Sequence, residues 1–146
     1  MYTDKNLGEQ LLTTLDACNA QIQATFTELL EPYDLTLTEY RALQILWTED
    51  GLASKQLARK LGKEGSSITP MVKSLEEKHF VQRRENPADA RSACVFLTEK
   101  GKQARIPART LDGQLLACLK HSGSLQEADL YTLLRLLDKA LISLRT

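Results

Sequence analysis

At 146 residues the chain is about one domain long, enough to bury a core without metal or disulfide staples, and its 42% hydrophobic and 26% charged residues exclude a disordered or fibrous protein. No apolar run approaches a membrane span and the first residues lack the basic and apolar regions of a signal peptide, so a cytoplasmic protein with no membrane partner is expected. The formal net charge of zero hides a segregation: residues 1–40 carry net −6, residues 41–105 net +5 and residues 106–146 net +1, a basic middle between an acidic arm and a near-neutral one.

Leu7, Leu11, Leu15, Cys18, Ile22, Phe26 and Leu29 recur at spacings of three and four, the apolar stripe of a long helix that Pro32 ends. Thr36 with Glu39 is a capping-box pattern opening a second, mostly buried helix through Tyr40–Trp47, and Asp50-Gly51 marks a turn. Ser54 is the expected cap of a short helix over 55–61, which Gly62 closes because glycine enters the left-handed region without cost. A fourth helix is expected from Gly65 or Ser66 through Ile68, Met71, Val72 and Leu75, with Pro70 near its first turn and Lys78 and His79 at its end.

There the period changes from helical to alternating. Phe80–Arg84 predicts a strand, Asn86–Asp89 a turn, and Ala93, Val95 and Leu97 one face of a returning strand. A hairpin does not hold by itself, so it must lean on the helices before it. Thr98 caps a fifth helix in which Pro107 predicts a kink or break, an interior proline costing roughly 3 kcal/mol. Ser124 with Glu127 predicts a second capping box, opening a last helix rich in leucine from Leu130 to Leu144.

The fold class is therefore mainly α with a small β hairpin: a winged helix-turn-helix over residues 36–98, flanked by an N-terminal helix (1–35) and C-terminal helices (99–146) that dimerise, the whole forming one intertwined unit. The fourth helix would offer its N-terminal end to the major groove, where Ser66, Ser67 and Thr69 can reach base edges or phosphates, Pro70 a thymine methyl, and Lys73 a phosphate or guanine. Ser54 and Lys55 on the third helix and Arg84 on the first wing strand complete the candidates. At the wing tip, Asp89 two residues before Arg91 would hold the guanidinium in one orientation as it enters a narrow minor groove. The plain alternatives are helix-capping serines, a solvated lysine and a surface ion pair worth roughly 0–1 kcal/mol.

The segments Leu35-Thr36, residues 57–61 (Leu-Ala-Arg-Lys-Leu), residues 67–76 (Ser-Ile-Thr-Pro-Met-Val-Lys-Ser-Leu-Glu), Asp89-Ala90-Arg91 and Leu97-Thr98-Glu99-Lys100-Gly101 together resemble the MarR family of transcription regulators, over nearly the whole chain. The resemblance implies a triangular homodimer on a palindromic double-stranded operator, usually a repressor released by a small-molecule effector or by thiol oxidation. Two positions depart from it. Members often carry arginine where Ser74 stands, which removes one phosphate or base contact, and many carry glycine where His79 stands at a helix end.

The first helix and the last leave more apolar surface than a module of about 60 residues can cover, and dimerisation is the simplest way to bury it. The three cysteines, Cys18, Cys94 and Cys118, are odd in number with no CxxC pair, so neither a disulfide framework nor a metal site is indicated. Cys18 on the apolar stripe and Cys118 read as buried core thiols; Cys94, facing away from Ala93 and Val95, is the more exposed redox candidate. The residue matching the reactive cysteine of the family's organic-peroxide sensors is Leu12, which argues against that mechanism. His79 and His121 are the only histidines, and with no nucleophile motif or phosphate loop neither an enzyme nor a cofactor is expected. The runner-up is a winged helix that docks another protein and binds no DNA.

Overall fold

The computed structural model describes residues 6–62, 68–89 and 91–146, with backbone alone over 106–110. The chain divides into two compact units, Met1–Leu111 and Asp112–Thr146.

In the first unit, α1 (Leu7–Leu30) runs into a 3-10 turn at Glu31–Tyr33, where Pro32 stops it and Asp34 turns the chain with φ 57°. Only the C-terminal end of the α1 stripe finds a core: Phe26 and Leu30 are buried, whereas Leu7, Leu11 and Leu15 are exposed. Cys18 is exposed with them, against the expectation of a buried thiol: the apolar stripe around it, Leu11 and Leu15, is exposed as well. The capping box forms as expected: Thr36 Oγ1 accepts from the Glu39 N–H at 3.2 Å, and Glu39 Oε1 accepts from the Thr36 N–H at 2.9 Å, opening α2 (Leu37–Thr48).

The Asp50-Gly51 turn leads into a two-residue strand, β1 (Leu52–Ala53), then α3 (Ser54–Lys60) and α4 (Ile68–Glu77). Ser54 is the first residue of α3 and does not cap it; Ala53 occupies the cap position and its N–H donates to Gln56 Oε1 at 3.0 Å. Gly62 ends α3 at φ +69° and His79 follows α4 at φ 67°, the left-handed positions expected of both.

The wing strands β2 (Val81–Glu85) and β3 (Ala93–Leu97) pair antiparallel, with Val81 opposite Leu97 and Arg83 opposite Val95. The hairpin is part of a three-stranded sheet ordered β1-β3-β2, so the expectation of two strands alone is corrected. Asp50 explains the third: its Oδ1 accepts from both the Gly51 and the Leu97 N–H groups, stitching the turn onto the edge of β3. Val81, Val95 and Leu97 face one core with Leu43, Leu46, Leu57, Met71, Val72 and Leu75, the helices covering the apolar side of the sheet.

The fifth helix breaks in two, α5 (Glu99–Gln103) and α6 (Arg105–Lys120), at Ala104. Pro107 then falls at the third residue of α6, inside the first turn whose N–H groups lack helical partners in any case. Thr98 caps α5, accepting from the Gly101 N–H at 3.1 Å.

In the second unit, α6 ends and α7 (Glu127–Arg145) begins. The cap of α7 is Gln126, whose N–H donates to Asp129 at 2.8 Å, while Ser124 bonds Ser122; the expected Ser124–Glu127 box is displaced by two residues because Gln126–Asp129 offers the same reciprocal spacing closer to the helix. No residue of α7 is buried within the chain, and Leu134, Leu137 and Leu141 lie exposed. Cys118 is likewise exposed and not the core residue expected.

Candidate nucleic-acid interface

α4 separates its residues cleanly. Ile68, Met71, Val72 and Leu75 are buried against α2 and α3, which leaves Thr69, Pro70 and Lys73 exposed together on the opposite face. Ser66 and Ser67 lie outside the described residues.

Between this face, α3 and the wing runs a cleft of about 740 Å³, lined among others by Ser54, Lys55, Arg59, Thr69, Arg83 and Arg91. Lys55 and Arg59 stand one turn apart on α3, so both long side chains leave the same face. Lys55, Arg59, Lys73 and Arg91 are exposed, and none forms an ion pair among the described residues. Lys55, Arg59 and Arg91 line the cleft and Lys73 stands on the exposed face of α4 beside it, so that uncompensated cations make a positive surface there, one suited to a polyanion.

Other candidates have structural work as well. The Ser54 hydroxyl donates to the Ala93 carbonyl at 3.2 Å, tying α3 to β3. Asp89 does not grip the Arg91 guanidinium as expected; its Oδ1 accepts from the Arg91 backbone N–H at 3.0 Å. It shapes the wing turn with Asn86, whose amide holds the Ala88 N–H and the Ser92 hydroxyl, and leaves the guanidinium outside. Arg84 lies over the Phe96 ring at 4.5 Å, on the face of the wing opposite the one that carries Val81, Val95 and Leu97. Cys94, across from Arg84 in the register, is half-buried, so the expectation that it is the more exposed cysteine is corrected: Cys18 and Cys118 are the exposed ones.

Arg83 and Arg59 join the candidates that the sequence offers. Arg83 shares the face of Val81, and its backbone N–H and guanidinium both engage Glu76 of α4, with Nη2 at 3.0 Å from Oε1. Those hydrogen bonds, from the Arg83 side chain first and its backbone second, hold the Glu76 carboxyl below its ordinary pKa. Strand alternation could have assigned Arg83 to the α4 side, and the i,i+4 spacing could have paired Arg59 with Lys55.

At the far end of α4 sits a buried carboxylate. Glu39 is 3% exposed and accepts from Lys78 Nζ at 2.9 Å and from the Ser74 hydroxyl at 3.0 Å, besides the Thr36 N–H. Burial by itself would raise its pKa; the bonds from Lys78, the Thr36 backbone, Ser74 and the Thr36 side chain together outweigh that and hold it below the ordinary value. Ser74, the departure from the arginine that the resemblance often has there, is thus turned toward α2.

A second hollow, about 470 Å³, is lined by Tyr33, Tyr40, Trp47 and Phe80, with Asp34 and Lys100 among its polar residues. Among the described residues no three His, Cys, Asp or Glu side chains gather as metal ligands, and no helix is long and apolar enough to cross a membrane.

The model of the MarR family matches residues 35–93, from two residues before α2 to the first residue of β3. The organic hydroperoxide resistance transcriptional regulator of Bacillus subtilis (strain 168) is 32% identical over 142 residues, covering 94% of this chain and 96% of that one. Among solved structures, a MarR transcriptional regulator from Methanosarcina mazei Go1 superposes with a TM-score of 0.82 at 21% identity, over 93% of this chain and 99% of that one. Reduced AbfR bound to DNA, a protein of Staphylococcus epidermidis, gives 0.78 at 22% identity, over 97% and 96%. The two structural likenesses speak for the fold; the family model and the match to the Bacillus regulator over 94% of the chain lead to one conclusion, that this chain belongs to the MarR family.

Proposed function

We propose that the chain is a DNA-binding transcription regulator that works as a homodimer and represses by occupying a palindromic operator. The observation that carries this reading is the set of unpaired cations, Lys55, Arg59, Lys73 and Arg91, gathered around the exposed face of α4. In this reading Thr69, Pro70 and Lys73, with Ser66 and Ser67, meet the major groove, and Arg91 at the wing tip enters the minor groove. Lys55 and Arg59 face phosphates, joined by Ser54 where its hydroxyl is free to exchange partners, and Arg84 reaches backbone only from the outer side of the wing. The names of the relatives support it, since the Bacillus protein is a transcriptional regulator and AbfR is seen on DNA.

The exposed leucines of α1 and α7 support dimerisation through residues 1–35 and 99–146, with 36–98 as the reading module. Symmetry then offers two reading heads to half-sites about 34–36 Å apart. Release by a small molecule is favoured by the aromatic hollow beside α2 and α5; release by oxidation would use Cys18 or Cys94, or the exposed Cys118.

Fluorescence anisotropy with a pool of random-sequence duplexes, titrated with salt, tests the reading. Binding should be tight at low salt and fall steeply, log K against log salt having a slope of roughly −0.9 per phosphate contacted. A chain that ignores every duplex at low salt docks something else, and sedimentation showing a lone subunit would remove the second half-site.

A further inference from the structure

We propose that Lys78 and Glu39 form a latch that sets the angle of α4 against the α1–α2 corner, so that Lys78 is a positioning residue for sequence reading although it lies at the end of α4 away from the cleft. The inference rests on the DNA-reading function proposed above.

The geometry concentrates on one ammonium. Lys78 Nζ donates to Glu39 Oε1 at 2.9 Å and to the Asp34 carbonyl at 2.8 Å, and lies 3.9 Å from the Asp34 carboxylate. One turn earlier Ser74 gives the same carboxylate a second bond at 3.0 Å, so two residues four apart, Ser74 on α4 and Lys78 just past its end, converge on Glu39. Glu39 is itself fixed by the α2 cap, and Asp34 is the left-handed residue that turns α1 toward α2. The last turn of α4 is pinned from outside as well: Lys100 Nζ donates to the Lys78 carbonyl at 2.8 Å while resting 4.4 Å over the Phe80 ring. Packing of Leu75, Val72 and Met71 keeps α4 on the core, but apolar contacts are non-directional and tolerate rotation. The charge-assisted bonds at its end are directional.

Leverage follows from length. α4 has 10 described residues, about 15 Å at 1.5 Å per residue. A rotation of about 10° about its latched end would carry Thr69 and Pro70, roughly 12–14 Å from Lys78, by ~2 Å, about four times the roughly 0.5 Å width of the 2.7–3.2 Å window within which a hydrogen bond to a base edge forms. Phosphate contacts made by flexible lysines and arginines absorb such a shift far better. Loss of the latch should therefore cost sequence discrimination before it costs total affinity.

The test compares two probes: the duplex most enriched by the wild-type dimer from a random-sequence pool, and a scrambled duplex of the same composition. The double variant Glu39→Gln/Lys78→Met removes both charges together, which avoids stranding a buried carboxylate. It should fold and dimerise as the wild type does, and bind the scrambled duplex with unchanged affinity and salt slope. Its preference for the selected duplex should fall about tenfold. Glu39→Gln alone, which retains the capping geometry, should fall partway, and Lys78→Arg should restore most of the preference. A folded double variant with undiminished preference overturns the latch; should the double variant fail to fold, undiminished preference in Glu39→Gln overturns it instead. A wild-type protein that enriches no duplex overturns the DNA-reading function itself, a separate outcome.

Discussion

Gly101 closes the Leu97-Thr98-Glu99-Lys100-Gly101 segment and sits where α5 meets the wing, and its replacement by alanine offers a sharp test of how that joint is built. A Cβ there would penetrate the carbonyl oxygen of Phe80, and would lie 3.1 Å from a methyl of Leu97 and 3.2 Å from the Phe80 carbonyl carbon. Backbone, not a swinging side-chain end, is in the way, so the helix must move. The same Phe80 oxygen accepts from the Thr98 N–H at 3.0 Å, and the Gly101 carbonyl accepts from Trp47 Nε1 at 2.8 Å. Displacing α5 by about an ångström strains both. Overpacking costs roughly 1–3 kcal/mol and each weakened hydrogen bond about 1 kcal/mol, partly offset by the better helix propensity of alanine, for a total of about 3 kcal/mol. For a chain of this size that is roughly a 10 °C fall in melting temperature, followed by circular dichroism at fixed protomer concentration because a dimer's stability depends on it. A Gly101→Ala protein that melts within about 2 °C of the wild type would refute the reasoning.

Arg91→Ala should weaken duplex binding about tenfold, the roughly 1.4 kcal/mol of one charge-assisted contact, with the dimer intact by light scattering; unchanged affinity removes the wing tip from the interface. Lys73→Ala should reduce the salt slope by about one unit, and an unaltered slope makes it a free surface charge. The folded pKa of Glu39 is depressed, so its contribution to stability is complete above the ordinary carboxylate value of 4.5 and is lost as pH falls through the lower folded value. Glu39→Gln should accordingly flatten the acid limb of a urea-unfolding series while lowering stability near pH 7, and parallel curves for the two proteins would show that the carboxylate is not linked to folding.

Much of the architecture was legible because it is periodic. The change from three-and-four spacing to alternation at Phe80 located the wing, and the Thr36–Glu39 box formed as written. The left-handed His79 followed from comparison with a glycine. What escaped depends on partners distant in sequence. β1 is two residues long and exists because Asp50 finds the Leu97 N–H, 47 residues away. Glu39 announced itself as a cap, but not its pairing with Lys78, 39 residues on. An apolar stripe names the face of a helix that avoids water without saying what covers it, so Cys18 and Cys118 were assigned to a core that the chain alone does not supply. At the wing tip, spacing put Asp89 beside Arg91 but could not say that the carboxylate would choose the backbone.

The unburied leucines of α7 bear on how much of this regulator a cell must keep. A helix of 19 residues whose every side chain stays in contact with water gains almost nothing from folding until another surface meets it. In the proposed dimer, abundance would then become part of the control circuit: below the dissociation constant a copy would lack its second reading head, so occupancy of a two-headed operator would respond to protein level more steeply than in simple proportion.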